Sequence, residues 1–187
     1  MFYLRVWMFL SMACGCLLSA DEWNRVYLVS FPRSGNHWVR FLVEEATHIT
    51  TSSVYRDRDF PHLPNVFPWG GYVVDQGYKG NCRFPTTNDP ILIKTHYPFL
   101  LQNNNGIDPC KDRAICLIRH PMDSLYSFYI YKNKLQGADL ISEDFVKSFV
   151  SEWKRFYEFW DGKPNVTMIR YEDILEDPEK QLSKILQ

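Results

Sequence analysis

The sequence predicts a three-layer α/β domain, a parallel sheet covered by helices on both faces. Three observations carry this expectation. Four short β-rich apolar runs recur along the chain: "VYLVS" (26–30), "ILIK" (91–94), "AICLI" (114–118) and "VTMIR" (166–170). Helical patterns stand between and after them, and strands alternating with helices build parallel sheets. The third run is apolar without interruption, as strands buried on both faces are.

Taken in order, the first strand ends near Ser30 and a helix follows over 35–47. Trp38, Leu42 and Ala46, with Val39 and Phe41, form its broad apolar face. Residues 50–90 then break the alternation with Pro, Gly and aromatic residues, including "FPWGGYVVDQGYKGNCRF". So long a connection is either functional or a packed insertion with short strands of its own. After the second and third strands, Asp123 is suited to start a helix. The clearest helix is 142–160, where Phe145, Phe149, Trp153, Phe156 and Trp160 recur at intervals of three and four. Ser142 can cap its start, and Gly162 and Pro164 stop it. After the fourth strand, Asp177-Pro178-Glu179 opens a last helix with Pro at its first position.

Composition sets the class. With 187 residues and 45% hydrophobic content the chain can bury a core and is not disordered. Aromatic content of 16% suits packed helices or a large ligand surface. Lys+Arg at 21 against Asp+Glu at 22 gives no basic excess, so nucleic acid is not the expected partner. Any anion must be met by local groups. No His, Cys or Asp cluster has ligand spacing, so no metal is implied.

Residues 1–20 stand apart: Arg5 precedes an apolar run from Val6 to Leu18, followed by Ser19 and Ala20. The run is shorter than the ~20 residues a spanning helix needs. It reads as a signal peptide cleaved after Ala20, or as a retained membrane anchor. The few residues between Ala20 and the first strand favour cleavage. The expected location is the secretory pathway: Golgi lumen or membrane, or secreted. Secretory entry permits a disulfide. Cys82 and Cys110 lie in polar, loop-like stretches and are the expected pair, with unpaired thiols as the alternative; Cys116 should be reduced and buried. The sequon Asn165-Val166-Thr167 opens a strand expected to be buried, so poor glycosylation is expected.

Four stretches carry chemistry. In "SFPRSGNHW" (30–38), Pro32 stiffens the strand exit and Gly35 lets backbone approach a ligand. Amides from Ser34 to Trp38 would face outward at a helix N-terminus, an anion site by geometry and dipole. Arg33 adds a permanent charge. The mononucleotide pattern G-x-x-x-x-G-K-[ST] is absent. The alternative is an ordinary strand–helix turn. In "ILIKTHYPF", Lys94 and His96 lie two apart at a strand's C-terminal end, where open α/β sheets bind ligands. A neutral imidazole can take a proton from an alcohol, and an ammonium can stabilise developing negative charge. In "ICLIRHPMDSLYSFY", Arg119 leaves a strand at the same edge and Ser127 follows on a helix, a clamp for a second phosphate. In "MIRYEDILEDPEKQLSKIL", Tyr171 can contact a nucleoside or merely pack.

These four blocks, in this order and spacing, resemble the sulfotransferases that use 3′-phosphoadenosine 5′-phosphosulfate (PAPS). The resemblance covers roughly residues 26–187 and implies a P-loop-like sheet. It implies that Arg33, Ser34, Gly35, Asn36, His37 and Trp38 hold the 5′-phosphosulfate. Arg119 and Ser127 would hold the 3′-phosphate, Tyr171 would face the adenosine, and His96 would deprotonate the acceptor. Lys94 and Arg33 would meet charge on the transferred group. The leader and the Arg-Ser-Gly-Asn loop are closer to secretory-pathway members, near the WSC-domain-associated branch, than to cytosolic ones.

Two departures stand out. Arg33 replaces the Lys common in cytosolic members, which makes proton donation from that position less plausible. The sequence also stops in the helix after Tyr-Glu-Asp, before the family's Arg-Lys-Gly segment, so the domain over 21–187 reads as C-terminally incomplete. The expected reaction is sulfuryl transfer to an acceptor hydroxyl on a glycan, protein or small molecule, with membrane contact only if the leader is retained. A non-catalytic nucleotide-binding relative is the alternative. A kinase-like phosphotransferase is disfavoured by the missing Gly-Lys-Ser/Thr and Walker-type Asp.

Overall fold

The computed structural model describes residues 23–63, 67, 70–99, 106–136 and 142–187. Residues 1–20, with the expected leader, lie outside them. Six strands form one sheet: β1 (Asn24–Ser30), β2 (Ser52–Ser53), β3 (Tyr72–Val73), β4 (Pro90–Thr95), β5 (Arg113–Ile118) and β6 (Val166–Arg170). Their order is β3-β2-β4-β1-β5-β6. Every pairing is parallel except that of β2 with β3. The four sequence-read strands are all present, and β2 and β3 come from the 50–90 insertion. Helices are α1 (Asn36–Thr47), α2 (Pro121–Gln136), α3 (Glu143–Trp160), α4 (Tyr171–Glu176) and α5 (Pro178–Ile185).

Strand alternation splits the core into two layers. Tyr27, Val29, Ile91, Ile93, Ala114 and Cys116 face one way, onto Phe149, Phe156, Tyr157 and Trp160 of α3. Leu28, Leu92, Ile115, Leu117 and Ile169 face the other, onto Val39 and Val43 of α1 and Ile174 of α4. The expected three layers are therefore observed. Helix α3 has the apolar period read from its sequence, and Ser142 Oγ accepts from the Phe145 amide at 3.2 Å. Asp177 likewise caps α5, accepting from the Lys180 amide at 3.0 Å.

Helix α1 departs from its reading. Its buried positions are Asn36, Val39, Arg40, Val43 and Glu44, while Trp38 and Leu42 are only partly covered and Ala46 is exposed. Two charges lie buried because the insertion supplies their partners. Arg40 donates to Thr51 Oγ1 at 2.8 Å and pairs with Asp57 at 2.7 Å. Glu44 accepts from the Thr51 amide (2.8 Å) and hydroxyl (2.7 Å), and from the Tyr78 amide (2.8 Å). All three partners, Thr51, Asp57 and Tyr78, lie beyond the end of the helix, so its own periodicity does not reveal them.

The Cys82–Cys110 bridge does not form: both are free, Cys82 buried and Cys110 exposed. Such a bridge needs the loops that enter the two following strands to run close together. In the sheet β4 and β5 instead flank β1 on opposite sides. The Cys82 thiol turns in toward the Glu44 carbonyl, at 3.7 Å. Cys116 is free and buried, as expected. β6 is an edge strand with Thr167 and Met168 exposed, so the premise of a buried sequon fails. Asn165 is exposed, and its amide donates to the Lys111 carbonyl at 3.0 Å.

Candidate functional site

A cavity of about 610 Å³ opens at the C-terminal edge of the sheet, where β1, β4 and β5 deliver their loops. It is lined by Arg33, Gly35, Asn36, His37, Trp38, Lys94, His96, Arg119 and Ser127 from the sequence-read set. Ser34 and Tyr171 are not in its wall. The Ser34 side chain is fully buried and its hydroxyl lies 3.3 Å from that of Tyr157.

The loop after β1 earns its shape from backbone geometry. Arg33 and Gly35 both take left-handed conformations, at φ 66° and 97°. A Cβ on Gly35 would lie 2.4 Å from the Tyr171 ring. The glycine thus admits Tyr171 from behind the loop while its backbone borders the cavity in front. Trp38 meets the same ring edge-on at 5.5 Å, and the Arg119 guanidinium lies over it at 4.5 Å. Tyr171 is a packing platform for the loop and for Arg119. No side chain caps α1, but of the expected amides those of Ser34 and Trp38 already donate, to the Phe31 and Gly35 carbonyls at 3.3 and 3.0 Å, so the anion-facing amides are those of Gly35, Asn36 and His37. Asn36 is turned inward and donates to Ser30 Oγ at 3.1 Å, pinning the helix start to the strand end.

His96 is fixed from one side. Its Nδ1–H donates to the Ser30 carbonyl at 2.7 Å, which leaves Nε2 as the basic nitrogen. The Tyr55 ring stacks on the imidazole at 5.4 Å, and the Tyr55 hydroxyl accepts from the His96 amide at 3.2 Å. Burial, then the Lys94 charge, lowers its pKa to about 3, so the ring is neutral at physiological pH. Lys94 is 6% exposed, and its Nζ lies 3.2 Å from His37 Nε2 and 3.5 Å from Asp57 Oδ1. Burial lowers its pKa to about 8, against the opposing pull of Asp57. His37 is likewise held neutral, at about 4, by burial and by Lys94. Its Nε2 can therefore accept from the ammonium while Nδ1 meets the Tyr78 hydroxyl at 3.2 Å.

Arg33 and Ser127, assigned by resemblance to opposite ends of the nucleotide, touch: Arg33 Nε donates to Ser127 Oγ at 3.1 Å. The Arg33 guanidinium also lies 5.1 Å from the Tyr131 ring centre. Arg119 donates to the Arg33 carbonyl at 3.0 Å, bracing the loop, while its Nε is buried with no partner among the described residues. Sequence reading missed Tyr55, Asp57 and Arg40. For Tyr55 and Asp57 the available signal was the run "VYRDRDF" (54–60), whose alternating charges stand out in an aromatic-rich insertion; for Arg40, a charge within α1, there was none.

A model of the sulfotransferase domain matches residues 24–187. The chain belongs to the sulfotransferase family. Human sulfotransferase 6B1 is 28% identical over 165 residues, covering 81% of this chain and 50% of that protein. The WSCD family member CG9164 of Drosophila melanogaster is 25% identical over 175 residues, covering 85% of this chain and 48% of that one. The chain spans about half the length of these curated relatives. Mouse sulfotransferase SULT7A1, solved in complex with PAP, superposes with a TM-score of 0.50 at 21% identity, over 90% of this chain and 58% of that one. That likeness shows the sulfotransferase fold. Among the described residues no group of three or more His, Cys, Asp or Glu could hold a metal, and no helix is long and apolar enough to cross a membrane.

Proposed function

We propose that the chain transfers a sulfuryl group from PAPS to an acceptor hydroxyl, with His96 as general base. The observation that carries this is the fixed tautomer of His96. Its Nδ1–H is committed to Ser30, so Nε2 is the acceptor beside Lys94 and Arg33 in one cavity. The residues present suit the donor nucleotide. The Asn36 and His37 amides at the start of α1, the glycine backbone at 35 and the guanidinium groups of Arg33 and Arg119 in the cavity wall offer donors to its anionic groups. When bound, PAPS supplies a sulfuryl group activated by its phosphate leaving group.

The chain's residues then position and neutralise, as in phosphoryl transfer. His96 Nε2 takes the acceptor proton as the acceptor oxygen bonds to sulfur and the sulfur–phosphate oxygen bond breaks. Lys94 and Arg33 meet the negative charge on the sulfuryl and leaving oxygens. Arg33 does this as a permanent cation that keeps its proton. Asn36, through Ser30 Oγ, fixes the end of β1, whose Ser30 carbonyl orients the His96 ring delivered by β4. The acceptor is a hydroxyl compound of a class that glycan, protein and small-molecule panels must define, and secretory placement rests on the leader and the Arg-Ser-Gly-Asn loop.

The test separates chemistry from binding. His96→Ala should cut transfer from labelled PAPS by ~10²–10⁴-fold while PAP affinity stays within a few-fold. Arg119→Ala should instead weaken PAP binding by ~1.5–3 kcal/mol, the range for a charged hydrogen bond. Unchanged transfer in His96→Ala removes the base assignment. PAP binding by a wild-type chain that transfers to no acceptor in the panels would favour a non-catalytic relative.

A further inference from the structure

The carboxylate of Asp57 is divided between two tasks. In the run Tyr55-Arg56-Asp57-Arg58, Asp57 alone is buried. Its Oδ2 accepts from Arg40 Nη1 at 2.7 Å, a contact that anchors the insertion on α1. Its Oδ1 lies 3.5 Å from Lys94 Nζ and 3.5 Å from His37 Nε2, both in the cavity wall. Arg40 already donates to the Thr51 hydroxyl and carbonyl, so it leaves Oδ1 free for the cavity groups. Structural anchoring explains one oxygen of Asp57 and leaves the other unexplained.

We propose that Asp57 is a positioning residue that keeps Lys94 an ammonium, aimed between His37 and the reacting group, at neutral pH. The groups around Lys94 make the need plain. Arg33 and Arg40 repel its charge, His37 and His96 are neutral, and the Tyr55 ring centre is 5.8 Å away. Burial also disfavours the charged amine. Asp57 is the carboxylate that opposes these effects, and its own pKa is kept low: burial raises it, but Arg40 and Lys94 outweigh that. The Lys94 ammonium in turn donates to His37 Nε2, which fixes the second imidazole at the start of α1.

The role of this ammonium in turnover rests on the sulfuryl-transfer reading, but the decisive measurement does not. Lysines of the full chain are reductively methylated with a carbon-13 label and titrated by NMR, the Lys94 signal being assigned by its loss in Lys94→Arg. Wild type should titrate near the alkaline side of neutrality, and Asp57→Asn should lower that midpoint by about one to three pH units, the usual effect of a close opposite charge. The ammonium-to-amine ratio at pH 7 then falls about 10- to 10³-fold. An unchanged midpoint with only a lower Tm would make Asp57 a structural partner of Arg40 and overturn the proposal. Because Asp57→Asn strands Arg40 in the interior, Arg40→Gln/Asp57→Asn removes both buried charges and is titrated in its place if the single variant does not fold. Because Arg40 itself lowers the Lys94 midpoint, the reference there is Arg40→Gln alone, and a double-variant midpoint equal to that of Arg40→Gln also overturns the proposal. In parallel, the alkaline limb of kcat/KM should move with the NMR midpoint. A moved midpoint in a chain that transfers nothing sinks the transferase reading and leaves the hold of Asp57 on Lys94 standing.

Discussion

Both faces of the sheet carry an apolar layer, but at the cavity end they are closed by different physics. On the α3 face, Phe31 sits among Phe99, Phe149 and Phe156 with ring centres 4.7, 5.0 and 5.8 Å away, and Trp160 is fully buried. On the α1 face, at the same end of the sheet, buried Arg40, Glu44, Asp57 and Lys94 are held by hydrogen bonds and ion pairs to the insertion. Aromatic packing is tolerant of exact partner chemistry and gives a stiff wall. A polar network in a low dielectric is rigid only when every group is satisfied, and it places charge where charge can act. The cavity lies between them. The difference teaches that the ring-packed face carries the fold, while the ion-paired face carries the reactive groups.

The comparison is broken most sharply by Trp160→Ala. The side chain is fully buried and its Nε1 donates to the Tyr97 carbonyl at 2.9 Å. Its loss should cost ~3–5 kcal/mol of global stability, read by chemical denaturation. Amide exchange should speed throughout β1, β4 and β5 together. Exchange confined to one loop would contradict the assignment of the fold to this face.

Glu44→Gln probes the other side. Three donors converge on its two carboxylate oxygens, and an amide places an NH₂ group against at least one of them. The expected cost is ~1–3 kcal/mol. It should appear first as faster exchange at Thr51 and Tyr78, with β1 and β5 protected. A uniform loss of protection would mean that the insertion is not a separately loosened unit.

The pH response sharpens the contrast further, since both titrating groups lie on the polar side. Lys94 acts as a cation with its pKa lowered to about 8, so transfer should fall as pH rises through about 8, roughly tenfold from pH 7 to 9. His96 is lowered to about 3 and stays neutral, so no acid limb belongs near the ordinary histidine value of 6.5. Stability should move in the opposite sense at low pH. Below about 6.5 the unfolded chain binds protons on His37 and His96 that the folded chain refuses until about 4 and 3, so stability falls with pH in that window. A Tm series from pH 7 to 4 checks the sign. The smallest effect is expected at Lys79→Ala. Its pair with Glu45, at 2.7 Å, is at the surface, and the change should cost no more than ~1 kcal/mol.

Much of this was legible in residues read one segment at a time. "AICLI" is a buried strand because nothing polar interrupts it. Phe145 to Trp160 is a helix because its rings recur at helical spacing, and Lys94-Thr95-His96 ends a strand at the sheet edge that opens on the cavity. These are local patterns, set by backbone periodicity and solvent exclusion. Asp57 was not legible, because a carboxylate among arginines in a loop reads as solvated until its partner, 17 positions earlier, is known to be buried beside it.

The sequence by itself determined four of the six strands, the main helices, the two-faced sheet and the tight turn from β1 into α1, since each follows from spacing within about twenty residues. Tertiary structure alone decided four things. Cys82 and Cys110 stay apart, because β1 inserts between the strands that follow them. Tyr171 fills the missing Cβ of Gly35 rather than the cavity. Arg40 and Glu44 are buried against an insertion that supplies their countercharges and donors. His96 has one basic nitrogen because the other, protonated, donates its hydrogen bond to a carbonyl 66 positions away. Each depends on contacts between distant segments, which local periodicity does not encode.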